Sequence, residues 1–301
     1  MVAFSMKVIT FAWLAVFPIF SQAWAVEKVP VFVSIAPQKF FVEQIGKNLV
    51  HVEVMVEPGA SPHIYEPKPG QMAAISRARI YFAIGVGFEK AWLKRIGASN
   101  PAMTVVHTDE GIQKLPMSTH HHHEDDKHHQ KDHHPGHDHG TPDPHIWLSP
   151  PLVMVQASNI VKALQEVDAA NRSEYEANYR AFVTRVRDLD GELRRLFSGR
   201  EGMEFMVFHP AWGYFAEAYG LRQVPIEVEG KDPKPARLKK IIDHAREHNI
   251  KVVFVQPQFS SKSAEQVARE IGGEVAFVDP LAPHWEENLR EAAAKFKSAM
   301  K

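Results

Sequence analysis

Two short segments each set a histidine between a proline and an apolar–aromatic pair: Pro62-His63-Ile64-Tyr65 and Pro144-His145-Ile146-Trp147. The proline fixes its own φ and stiffens the backbone leading into the histidine. The aromatic side chain can wall the ring on one side. A rigid, partly desolvated imidazole is what a metal ligand requires. A single such histidine reads equally well as a turn residue with no ligand, and it is the second copy that favours a metal. His209 closes the apolar run Phe205-Met206-Val207-Phe208 and precedes Pro210, a residue suited to the first position of a helix. This puts His209 at the carboxyl end of a strand, where open α/β sheets bind ligands. Asp279 follows Val275-Ala276-Phe277-Val278 and precedes Pro280, in the same setting. Aspartate also forms turns and caps helices, and that alternative stays open here. Three neutral imidazoles and one carboxylate would make a four-ligand shell for Zn²⁺, with Zn–N near ~2.0–2.1 Å.

A second group of histidines has a different character. Of 18 histidines in the 301 residues, ten fall in one stretch: His120, His121, His122, His123, His128, His129, His133, His134, His137 and His139. They are interleaved with Glu124, Asp125, Asp126, Asp132 and Asp138. Residues 118–143 hold almost no apolar side chains, so they cannot offset their ordering entropy and read as a disordered loop. Most of these rings are neutral at pH 7 and can bind metal as an accessory site. His244 and His248 lie one helical turn apart and could chelate, but their Lys/Arg/Asp-rich surroundings read better as a solvated face. His51, His107 and His284 read as ordinary. No H-E-x-x-H, G-x-S-x-G or P-loop pattern is present, so nothing in the chain competes as a catalytic motif.

The elements that must position these residues alternate. Residues 31–35, 52–56, 80–84 and 103–106 have strand character, with helical patterns at 38–47, 69–78 and 89–96 between them. Long helical patterns follow at 151–167 and 172–197. In the second, Tyr175, Tyr179, Phe182, Val186, Leu189, Leu193 and Leu196 form one apolar stripe. A second alternating block has strands at 205–208, 224–228, 252–255 and 275–278 and helices at 211–219, 235–248, 262–271 and 285–300. The fold class is therefore α/β: two lobes, each with a mostly parallel sheet flanked by helices, joined by one long helix. The expected divisions are 26–150 for the N-terminal lobe, 151–202 for the helical linker region and 203–301 for the C-terminal lobe. A cleft between two such lobes is a common place for a ligand.

Residues 1–25 read as a signal peptide: Lys7, then a mostly apolar run, then Ala23-Trp24-Ala25 with the small-x-small shape of a cleavage site. The run is short for a bilayer span. The chain has no cysteine, which excludes disulfides, thiolate ligands and a lipid anchor on a mature N-terminal cysteine. The expected compartment is the periplasm, with no direct membrane anchor. Basic and acidic residues number 35 and 36, which gives no reason to expect nucleic acid as a partner.

Taken in order, Glu57-Pro58-Gly59-Ala60-Ser61-Pro62-His63-Ile64-Tyr65-Glu66-Pro67, Asp143-Pro144-His145-Ile146-Trp147-Leu148, Phe208-His209-Pro210-Ala211-Trp212-Gly213-Tyr214-Phe215 and Val278-Asp279-Pro280-Leu281 resemble one family across essentially the whole mature chain. It is the cluster A-I solute-binding proteins of ABC transporters for zinc or manganese. The acidic, His-rich loop before the second ligand resembles the zinc-uptake (ZnuA-like) branch. The resemblance implies a metal in the cleft, with His63 and His145 from one lobe and His209 and Asp279 from the other. Manganese-type members usually carry Glu at the position of His209, and an imidazole there suits Zn²⁺ better than Mn²⁺. Pro62 stands where some zinc-type members have an acid, which leaves Asp279 or water as fourth ligand. Glu66 would serve behind the ligands or on the docking surface. The implied function is capture of Zn²⁺ as transported ligand by a monomer that delivers it to an ABC permease and its ATPase. No enzymatic activity is implied. Binding through deprotonated imidazoles should weaken below about pH 6.5. The alternatives are Mn²⁺ or Fe²⁺ as substrate, a periplasmic zinc buffer or chaperone, and a zinc hydrolase with Glu66 as base.

Overall fold

The β-branched and aromatic runs of the first half become four parallel strands: β1 (Val29–Val33), β2 (Val50–Val54), β3 (Ile80–Ala83) and β4 (Thr104–His107). Their order is β2-β1-β3-β4. Helices α1 (Ala36–Gly46), α2 (Pro69–Ile75) and α3 (Gly87–Ser99) connect them. The structure, a computed structural model, describes residues 27–117, 141–227 and 231–300. The expected signal peptide and the ten histidines of the expected loop lie outside the described residues.

The second half repeats the plan. Strands β5 (Glu204–Val207), β6 (Arg222–Pro225), β7 (Val252–Val255) and β8 (Glu274–Phe277) are again all parallel, in the order β6-β5-β7-β8. Helices α6 (Gly213–Ala218), α7 (Pro235–Glu247), α8 (Lys262–Glu270) and α9 (Trp285–Ala299) flank them. In both sheets the winding reverses between the first strand and its neighbour, so a crevice opens at the carboxyl ends of β1 and β3 and again of β5 and β7. The segment after His209 departs from the expected helix at 211–219. The Ala211 N–H bonds back to the His209 carbonyl at 2.8 Å and the Trp212 N–H to Gln223 Oε1 at 2.6 Å, so a turn precedes α6. Strand β6 ends on Pro225, which lacks a ladder donor and is tolerated because β6 is an edge strand.

Between the lobes run α4 (Pro150–Val167) and α5 (Arg172–Phe197). With 26 residues, α5 spans roughly 39 Å. Its buried face is Tyr175, Phe182, Val186, Leu189, Leu193 and Phe197. Tyr179 and Leu196, expected on that stripe, are only partly buried, and Phe197 takes the last core position. The helix packs on α4, α1 and α9, so it touches elements of both lobes. It is not the sole brace. Trp147 Nε1–H donates to the Pro280 carbonyl at 2.7 Å, and Trp285 Nε1–H donates to the Trp147 carbonyl at 2.6 Å. Both indoles are fully buried, and Trp285 meets Phe41 of α1 edge-on at 5.1 Å. One continuous apolar core therefore runs from the first sheet through α4 and α5 to the α6 and α9 side of the second. A smaller core lies between that second sheet and α7 and α8. No helix of the described residues is long and apolar enough to cross a membrane.

Candidate metal centre

Three loops deliver three histidines to the space between the sheets. The first follows β2 and leans on the start of α3: the Phe88 N–H donates to the Pro62 carbonyl at 3.0 Å. A Cβ on Gly87 would stand 2.6 Å from the His63 carbonyl oxygen and 2.9 Å from its Cα. Glycine is thus needed for the His63 backbone to approach α3 this closely.

The second loop carries His145 and is pinned from both lobes. Pro142 bridges Pro116, and the Asp143 N–H donates to the Leu115 carbonyl at 2.8 Å. The hydroxyl of Tyr214, from α6, donates to the Asp143 carbonyl and accepts from the Leu115 N–H, both at 2.9 Å. Asp143, expected to end the disordered loop, is 1% exposed and belongs to the site. Its Oδ1 accepts from the His145 N–H at 2.9 Å and from His145 Nδ1 at 2.6 Å.

The third loop leaves β5. Gln256, at the end of β7, grips the His209 peptide: Oε1 takes its N–H at 3.2 Å and Nε2–H donates to its carbonyl at 2.7 Å. Two strands at the winding reversal thereby fix one ligand. His209 Nδ1 donates to Glu227 Oε1 at 2.7 Å, and Phe259 stacks on the ring at 4.6 Å.

With both Nδ1–H groups spent on carboxylates, the Nε2 lone pairs of His145 and His209 are left for a metal. His209 Nε2 lies 3.0 Å from His63 Nε2 and 3.3 Å from His145 Nε2. Ligand atoms of all three residues fall within 4.8 Å of one another. Nitrogens bound tetrahedrally at ~2.0–2.1 Å would be about 3.3 Å apart, so these separations match one shared ion. Burial, followed by the proximity of His145 and His209, lowers the His63 pKa to about 3. Burial also lowers that of His209, against the opposing pull of Glu227. Neutral, desolvated rings are the form that binds a cation. Proton competition at these two ligands therefore begins below the ordinary histidine range.

The structure leaves Asp279 outside this cluster. Its Oδ1 accepts from Gln258 Nε2 at 2.8 Å and from the Leu281 N–H at 2.9 Å. Its carbonyl accepts from Asn288 at 2.8 Å. These contacts fit the turn-forming alternative, in which a short carboxylate two residues past a strand bonds its own backbone. Glu66 is exposed and joins no metal cluster among the described residues. Asp143, Glu227 and Gln256 are the residues that sequence reasoning missed. An acid two residues before His145 was a usable signal, whereas Glu227 and Gln256 reach His209 only through the sheet order.

A two-lobed α/β protein with a three-histidine centre between its sheets is a metal-binding solute receptor in form. The model of the family ZnuA, "Zinc-uptake complex component A periplasmic", matches residues 31–299. The high-affinity zinc uptake system protein ZnuA of Bacillus subtilis (strain 168) is 32% identical over 261 residues, covering 85% of this chain and 79% of that protein. A crystal structure of ZnuA superposes with a TM-score of 0.82 at 43% identity, covering 91% of this chain and 99% of that one. A ZnuA deletion mutant with zinc bound gives 0.81 at 44% identity, with the same coverage. The chain belongs to the ZnuA family. It is a zinc-binding solute-binding protein and not an enzyme, and Mn²⁺ or Fe²⁺ is not the favoured ion.

Proposed function

We propose that this protein captures Zn²⁺ through the Nε2 atoms of His63, His145 and His209, with water in the fourth position, and hands the ion to an ABC permease. The observation that carries the reading is the pair of Nε2 separations, 3.0 and 3.3 Å, drawn from three loops and two lobes. The third imidazole, where an oxygen-rich site would have a carboxylate, favours Zn²⁺ over Mn²⁺. In this reading residues 1–25 direct export to the periplasm and are removed, and the mature chain works as a monomer. Residues 26–150 and 203–301 form the lobes, and 151–202 brace them. The histidines between His120 and His139 serve as an accessory collector of ions. Competition calorimetry on the mature chain lacking residues 118–140 tests the assignment. One tight Zn²⁺ site, abolished by His209→Ala and retained in Asp279→Ala, is the expected result. Loss of tight binding on removal of the loop alone would place the primary site elsewhere.

A further inference from the structure

His244 and His248 were read from sequence as one solvated helix face, but the fold brings a carboxylate up to them. His244 lies in the last turn of α7 and His248 caps its end, so their side chains share a face. Glu204, the first residue of β5, meets that face from the sheet. His244 Nε2 is 2.7 Å from Glu204 Oε2, and His248 Nδ1 is 3.4 Å from the same oxygen. The two imidazoles stack with centroids 4.2 Å apart and planes inclined by 24°. One ligand atom from each of the three residues lies within 4.8 Å of the other two.

We propose that Glu204, His244 and His248 form a second, weaker Zn²⁺ site on the outer face of the C-terminal lobe. Two imidazoles and one carboxylate are a donor set that zinc takes, with the fourth position left to water. Glu204 and His244 are mostly covered, with side-chain exposures of 12% and 18%, so two of the three ligands are already held in place. His248 is 48% exposed and can swing outward to admit the ion. The carboxyl end of α7 adds a negative potential that favours a cation. A His244–Glu204 hydrogen bond would satisfy that pair alone. It gives no reason for a second imidazole to lie against the same oxygen. The site is separate from the cleft: Glu204 begins β5, whereas His209 lies two residues past its carboxyl end, roughly 16 Å away at ~3.3 Å per residue. It is expected to bind more weakly, because His248 must be ordered when the metal enters.

The test uses the full mature chain. Crystals grown with excess Zn²⁺ should give an anomalous difference peak bonded to Glu204, His244 and His248, in addition to the cleft peak. In equilibrium dialysis His248→Ala should bind one zinc fewer than the unaltered protein, and Glu204→Gln should do the same. His248 is an exposed helix-end residue, so His248→Ala should fold normally. The His-rich loop is common to all three proteins and cancels in the comparison. The His248 ring signals in a ¹⁵N-histidine NMR spectrum should shift as zinc is added beyond one equivalent to the unaltered chain. Absence of the peak overturns the proposal. So does a peak accompanied by unchanged stoichiometry in His248→Ala, which would mean an adventitious ion only. The cleft peak and tight affinity are read independently, so failure of the transport reading would not be mistaken for failure of this one.

Discussion

Asp143 and Glu227 do for the metal what the ligands cannot do alone. Each accepts the Nδ1–H of one imidazole, at 2.6 and 2.7 Å, and so fixes its tautomer and aim. Asp143→Asn and Glu227→Gln should each weaken Zn²⁺ binding about 10–100-fold with the three ligands still in place, as read by competition against a chelator. The proton balance of His63 gives a second prediction. Its folded pKa is about 3 against an ordinary value of 6.5. Between those values the unfolded chain binds more protons than the folded one. The stability tied to a neutral His63 is therefore complete above about pH 6.5 and is lost as pH falls toward 3. Metal-free protein should show a melting temperature that drops across this window, and the drop should be smaller in His63→Gln. Zinc affinity, by contrast, should lose little to proton competition at His63 itself between pH 7 and about pH 6, where that ring takes up few protons. At this scale the histidines were legible from their neighbours, as in the repeated Pro-His-Ile pattern. The role of Asp279 was not legible in the same way, because strand-then-acid describes a turn former and a ligand equally well.

The elements matter through a few close approaches. The His63 loop rests on α3 where Gly87 leaves room, and a methyl there would sit 2.6 Å from the His63 carbonyl oxygen. Gly87→Ala should displace His63 and weaken Zn²⁺ binding at least about tenfold, about 1.4 kcal/mol, while the far-ultraviolet circular dichroism stays the same. The bounds of α5 were readable because its apolar stripe holds one period over seven turns. The start of α6 was not, because it depends on Gln223 of a neighbouring strand capturing the Trp212 N–H. Strand identity followed from β-branched runs, but strand order is a tertiary property. The order decides that Gln256, just past β7, reaches His209, just past β5, so that contact had no local signature.

For the whole molecule, the continuous core and the two indole bonds, Trp285 to the Trp147 carbonyl and Trp147 to the Pro280 carbonyl, make the lobes one mechanical unit. Trp285→Ala should cost about 3–5 kcal/mol of stability in chemical denaturation. It should also raise hydrogen exchange at residues 145–148, whose turn it holds. Zinc loading should change the relative setting of the lobes little, with the adjustment concentrated in the His63 loop, whose ligand is the most exposed of the three. The central claim is that three imidazoles from two lobes hold one zinc ion. It is tested most directly by zinc K-edge X-ray absorption on the mature chain lacking residues 118–140 and loaded with one equivalent. The spectrum should fit three imidazole nitrogens near ~2.0–2.1 Å and one oxygen. A shell with one imidazole or none, or one unaltered by His209→Ala, would contradict it.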